Sequence, residues 1–228
     1  MIVTHCHPDH LGLADWICWD GDTSRWNVRL WISLGEYLNG RVMAAGDGSN
    51  AGGERVAQHF AMHGLTDEES LDALRNRKSY YPTLVPSIPP EYRRNRDGDA
   101  IRIGGRDWKV IAGFGHSPEH SALYSAKDRL LISGDMVLPR ISINVSVFAM
   151  EPEGNPLALY LESLGRYETM PENTLALPSH GKPFKGVTTC GITIARGWRK
   201  CARRALRRHL APPISCRSCS SASSISIR

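Results

Sequence analysis

The amino-acid sequence predicts an α+β fold, on three observations. Between Asp97 and Ser133, short alternating runs are separated by turns rich in glycine and aspartate, the pattern of an antiparallel meander. Residues 34–78 and 156–167 instead carry apolar side chains at helical spacing. At three places, residues of metal-ligand type directly follow strand-like apolar runs: after Ile2-Val3, after Leu130-Leu131-Ile132, and after Thr174 to Leu177.

The first of these places organises the rest. Ile2-Val3 reads as the end of a buried strand, since β-branched residues suit a covered pleated surface. His5, His7, Asp9 and His10 follow within six positions, and Pro8 fixes a turn that stops a helix from running through them. In an extended segment His5 and His7 point the same way, and Cys6 turns away into packing. Asp9 and His10 come around the turn and face a second point. Neutral imidazole and carboxylate are ligands for zinc and related divalent ions. One loop offering two ligand pairs suits two ions about 3.5–4 Å apart. A turn bearing surface histidines would account for one histidine, but poorly for this density.

The remaining elements follow in order. Leu11 to Trp19 reads as a helix, Asp20-Gly21-Asp22 as a turn and Val28 to Ser33 as a strand. Leu34 to Ala45, Glu54 to His63 and Asp67 to Lys78 read as helices, the last capped by Thr66 with Glu69 three residues on. His59 and His63 share a helical face, and no flanking motif makes them ligands. Tyr80 to Pro90 holds four prolines and no regular pattern. Residues 34–98 therefore predict a mostly helical insertion roofing the site, with Tyr80, Tyr81, Leu84 and Tyr92 as lid packing or pocket lining. Strands are expected at Ala100 to Ile103, Trp108 to Ala112, Ser121 to Tyr124, Leu130 to Ser133 and Thr174 to Leu177, and a helix at Pro156 to Tyr167. His116 falls in a glycine-bounded loop, where the backbone is free to swing it inward. Asp135 and His180 each end an apolar strand, and a carboxylate in such a place is costly unless paired or bound.

At 228 residues the chain fits one domain able to bury a core, and 41% hydrophobic with 22% charged residues is ordinary globular composition. All 23 acidic residues lie at or before Glu172, whereas 11 of the 28 basic residues lie after it, so residues 1–172 carry −6 and residues 173–228 carry +11. The basic balance thus belongs to the tail, and an acidic body without a recognisable binding module argues against nucleic acid as a partner. No apolar run approaches the length of a membrane span, and no signal-peptide pattern is visible. Six cysteines without a paired framework imply free thiols in a reducing compartment, hence a cytoplasmic protein. Cys216 and Cys219 have metal-pair spacing but no second pair.

Together, His5-x-His7-x-Asp9-His10, Gly115-His116-Ser117-Pro118, Ser133-Gly134-Asp135 and Pro178-Ser179-His180-Gly181 resemble, in the same order, the metal-binding motifs of the metallo-β-lactamase fold superfamily. The resemblance covers Ile2 to Gly186. It implies a sandwich of two β-sheets between helices, and a metal-dependent hydrolase that turns a metal-activated hydroxide on a small ester, thioester, lactone or related acyl compound. It also implies a ligand set. His5, His7 and His116 would hold one ion, Asp9, His10 and His180 the second, and Asp135 would bridge. The ions would be two Zn²⁺, with iron or manganese as alternatives, and Asp9 would be the catalytic residue that orients the hydroxide or takes its proton. Thr4, Ser117 and His120 are candidates to hold the imidazoles. An iron-dependent sulfur oxidoreductase of persulfide dioxygenase type is the competing activity within the superfamily, and an inactive fragment is the third reading.

Superfamily members place several strands before the first motif, so the start at His5 predicts an incomplete first sheet and a chain shortened at its front. The Arg-, Ser- and Cys-rich text after Gly186 predicts a disordered tail, residues 187–228, either read out of frame or a genuine basic extension. The domain is then expected at 1–186.

Overall fold

Alternation along the first three residues sets the layering. In the computed structural model, which describes residues 1–18, 28–46, 51–139 and 143–209 (side chains to Cys201), Ile2 and Val3 face opposite ways between two layers. Ile2 packs toward Ile101, Trp108, Val110 and Leu123, while Val3 joins Leu11, Leu30, Ile32, Tyr37 and Tyr81. A period of two along a strand divides its side chains between faces in this way.

The first sheet is small. Strand β1 (Trp31–Ile32) pairs in parallel with β2 (Arg93–Arg94), and Ile2 bridges to Trp31 on the other side. The second sheet holds five strands in sequence order: β3 (Ala100–Ile103), β4 (Arg106–Gly113), β5 (His120–Ser125), β6 (Leu130–Gly134) and β7 (Leu175–Pro178). Its first three pairings are antiparallel, and β6–β7 is parallel.

Helices cover both outer faces. On one side lie α1 (Pro8–Leu11), α2 (Ala14–Cys18), α3 (Leu34–Ala44) and the short α6 (Tyr81–Leu84). On the other, α7 (Pro156–Gly165) and α8 (Val187–His209) pack on Ile111, Ala122, Leu131 and Ala176. A pair, α4 (Glu54–Met62) and α5 (Glu68–Asn76), closes over its own core of Val56, Ala57, Leu71 and Leu74. The result is the expected α+β sandwich of two sheets between helices. Among the described residues, no helix is long and apolar enough to cross a membrane.

Four expectations change. Pro8 starts a helix rather than preventing one: at the first helical position its missing N–H costs nothing and its fixed φ suits the turn. The α5 cap is Asp67, whose carboxylate accepts from Ser70 N–H at 2.8 Å, in place of Thr66. The helical segment 34–98 does not remain outside the sheets, because Arg93 and Arg94 return to pair with β1. The fourth change concerns residues 187–198, expected within a tail without a buried face. They form the first half of α8, with Val187 and Ala195 buried and Cys190, Ile194 and Trp198 packed on the same core. Their spacing of three and four residues is a helical stripe, obscured in the sequence by interleaved arginine and threonine. The Asp20 to Asp22 turn, Cys216 and Cys219 lie outside the described residues.

Candidate metal centre

Each ligand-type side chain reaches the site because a strand ends there. Thr4 O accepts from Ser121 N–H of β5 at 2.8 Å, which delivers His5 to the rim of the large sheet. His7 is extended, and the turn of α1 then carries Asp9 and His10. His116 sits in the β4–β5 connection. A register shift at Ile132/Gly134 ends β6 and redirects Asp135, as bulges do. At Gly134 φ is +53°, and a Cβ there would lie 2.2 Å from His120 Nε2, so only glycine fits. Ser179 N–H extends the β6–β7 ladder by donating to Gly134 O at 3.2 Å, and His180 follows.

All seven predicted side chains come together, in two groups. His5, His7, His116 and Asp135 each present a ligand atom within 4.8 Å of the others, and so do Asp9, His10 and His180. His5 Nε2 lies 3.0 Å from His7 Nδ1 and 3.3 Å from His116 Nε2. Asp135 stands between the groups. Its Oδ2 is 3.5 Å from both His116 Nε2 and His180 Nε2 and 3.8 Å from His5 Nε2, and its Oδ1 is 3.6 Å from His10 Nε2. Asp9 Oδ2 lies 3.2 Å from His180 Nε2 and 3.4 Å from His10 Nε2.

The tautomers follow from the outer partners. His116 Nδ1 is 2.9 Å from Asn144 O, and a carbonyl only accepts, so the proton is on Nδ1 and the Nε2 lone pair faces the site. Thr4 Oγ1 lies 3.0 Å from His5 Nδ1 and 3.3 Å from His10 Nδ1 and can accept from both, which turns both Nε2 atoms inward. His120 Nε2 accepts from Asp135 N–H at 3.2 Å. Thr4 and His120 therefore touch the ligand groups as expected, whereas Ser117 donates to Glu36 instead.

Burial disfavours the charged form of four of the imidazoles. Burial, reinforced by neighbouring imidazoles, lowers His5 far below the usual imidazole range, and burial also lowers His10. Burial brings His7 to about 4 and His120 to about 3. Burial pushes Asp135 up, but its close contact with His116 and the neighbouring His10 and His180 prevail and hold it at about 2. This donor set fits a divalent cation. Imidazole nitrogens face one another at 3.0 and 3.3 Å, and the buried atoms His10 Nε2 and Asp135 Oδ1 have no hydrogen-bond partner.

A pH dependence follows for the metal-free protein. His7 and His120 bind protons more readily unfolded, near pH 6.5, than folded, so the unfolded state gains protons as the pH falls through 6.5 toward 4 and 3. Stability is full above pH 6.5 and declines below it. The expected result is a melting temperature lower at pH 5 than at pH 7.5; an equal or higher value at pH 5 would contradict the burial of neutral imidazoles.

Two groups outside the motifs matter that sequence reasoning missed. Glu36, fully buried in α3, touches both ligand loops, and Asn144 orients His116 through its carbonyl. Neither belongs to a motif, and a lone Glu on an amphipathic helix reads as solvent face. Tyr81 and Tyr92 prove to be packing residues. Tyr81 OH donates to Cys6 O at 2.5 Å, and Tyr92 stacks on Tyr37 at 3.9 Å between ring centroids. Tyr80 and Leu84 stay exposed. Cys6 is buried and turned from the ligands, accepting from Asn39 Nδ2 at 3.1 Å. His59 is buried beside His63, and among the described residues no third donor joins them.

This layering and this cluster define a class, and comparison with known proteins agrees. The family model described as the metallo-beta-lactamase superfamily matches residues 1–180, and the chain belongs to that superfamily. The crystal structure of a beta-lactamase domain protein from Burkholderia ambifaria is 60% identical, with a TM-score of 0.80, over 94% of this chain and 58% of that one. A metallo-beta-lactamase family protein from Thermus thermophilus, TTHA1429, is 26% identical, with a TM-score of 0.65, over 87% of this chain and 60% of that one. A probable metallo-hydrolase of Bacillus subtilis, YqjP, is 22% identical over 191 residues, 82% of this chain and 55% of its own length. An uncharacterized protein of Aquifex aeolicus is 33% identical over 101 residues, 44% of this chain and 45% of its own length. The chain thus spans about half the length of the curated relatives it matches. The chain thus combines membership of the superfamily with a His/Asp cluster able to hold metal.

Proposed function

We propose that this chain carries a dinuclear hydrolase centre acting on a small ester, thioester, lactone or related acyl substrate in the cytoplasm. His5, His7 and His116 would hold one ion and Asp9, His10 and His180 the other, with Asp135 shared between them; zinc suits this set of imidazoles and carboxylates. The observation that carries the reading is the position of Asp135, 3.5 Å from an imidazole of each group through one oxygen. When bound, the ions would activate water near neutral pH and polarise the acyl carbonyl. The chain's own residues supply the rest. Thr4 and Asn144 O fix the imidazoles, Gly134 lets Asp135 approach His120, and the buried walls strengthen every charge interaction. Asp9 sits at the open rim, its side chain 54% exposed, where it can orient a water or take its proton.

The test is metal content of the purified protein followed by a panel of esters, thioesters and lactones. Two equivalents of zinc and metal-dependent turnover of one panel member are expected. One equivalent of iron, with oxygen consumption on a persulfide and no hydrolysis, would replace this reading by the sulfur oxidoreductase.

A further inference from the structure

We infer that Glu36 is a positioning residue for the metal centre, holding the His5–His10 loop and the His116 loop at a fixed separation; this rests on the metal reading above. Glu36 lies in the first turn of α3, is fully buried, and makes its hydrogen bonds beside the ligand side chains and not to them. Its carboxylate accepts three hydrogen bonds from two loops: Cys6 N–H at 2.8 Å on Oε2, and Ser117 Oγ–H at 2.6 Å and Glu119 N–H at 2.7 Å on Oε1. Cys6 is the residue between His5 and His7. Ser117 directly follows His116, and Glu119 directly precedes His120, whose Nε2 accepts from Asp135 N–H. One carboxylate thus fixes the backbone beside three predicted ligands and beside the support of a fourth.

The attachment is made from both sides. Glu119 Oε2 accepts from Gly35 N–H at 2.9 Å, and Glu119 O accepts from Ser33 Oγ at 2.7 Å, so the start of α3 is docked on the His116 loop. The positive end of the helix favours both carboxylates. Tyr81 holds the opposite edge of Cys6 through its carbonyl. An apolar side chain at position 36 would avoid the cost of burying a charge but could not define the distance between loops.

The experiment titrates cobalt(II) into the metal-free full chain and reads affinity and the visible absorption of the bound ion. Glu36→Gln keeps the volume but sets an amide N–H₂ against a donor. It is expected to weaken cobalt binding about 10- to 100-fold and to alter the absorption band. Leu71→Ala, a truncation in the separate α4–α5 core, controls for stability and is expected to melt lower with wild-type cobalt affinity. Wild-type affinity and spectrum in Glu36→Gln would overturn the inference, as would an equal loss in Leu71→Ala. Should Glu36→Gln fail to fold, Ser117→Ala removes one of the three contacts; weakened cobalt binding there supports the inference, and unchanged binding overturns it. A wild-type chain that takes up no cobalt would instead overturn the metal reading itself.

Discussion

Replacing Asp135 by alanine or by asparagine is expected to remove bound metal and hydrolysis together. Asp135 is the carboxylate that stands between the two groups of donors: one oxygen lies 3.5 Å from His116 and His180, and the other lies 3.6 Å from His10. Alanine deletes both oxygens. Asparagine keeps the volume and one carbonyl, but it brings no negative charge to hold two cations side by side. A loss of several kcal/mol in transition-state stabilisation corresponds to a rate about 10³-fold lower or worse. Elemental analysis beside turnover on the panel substrate decides the matter. Full metal occupancy in both variants would take Asp135 out of the ligand set.

The second large effect is structural. At Gly115 φ is +93°, and a Cβ there would lie 2.2 Å from Pro156 O and 2.7 Å from Tyr160 N. Both atoms are backbone of α7, so relief requires the helix to move off the sheet. Gly115→Ala combines an unfavourable dihedral with overpacking and is expected to cost about 3 kcal/mol of stability. The usual entropic gain of Gly→Ala, about 0.4–1 kcal/mol, does not offset it. Urea unfolding of the two proteins gives the comparison; an unshifted midpoint would show that α7 yields without strain.

These two sites also mark what could be read from the chain alone. His5, Asp135 and His180 were legible because a polar ligand type directly after an apolar strand is expensive unless it has a purpose. The meander from Ala100 to Gly134 was legible because alternation and turn residues agree. Glu36 was not, since its role depends on Ser117 and Glu119 more than eighty residues away, and no local pattern announces a long-range hydrogen bond. Nor was β2: β1 falls inside the strand expected at Val28 to Ser33, but its two-residue partner Arg93–Arg94 is too short for periodicity and is defined only by pairing across a separation of about sixty residues. The first half of α8 was misread for the opposite reason. Its apolar stripe at Val187, Cys190, Ile194 and Trp198 was present, but the arginine-rich composition around it outweighed the spacing.

The parallel pairing of β6 with β7 has a consequence for how such a chain can diversify. Two antiparallel strands can be joined by a tight hairpin; two parallel ones need a long crossover, here residues 135–174 with α7 in the middle. Asp135 and His180 stand at the two strand ends on one edge, fixed by the ladder and indifferent to the length of the path between them. The crossover meanwhile passes beside the centre, where Asn144 reaches His116, and it displays Val147, Phe148 and Met150 to solvent. Insertions or exchanges around residues 145–154 would thus remodel the rim beside His116 while the strand ends that carry Asp135 and His180 stay in register.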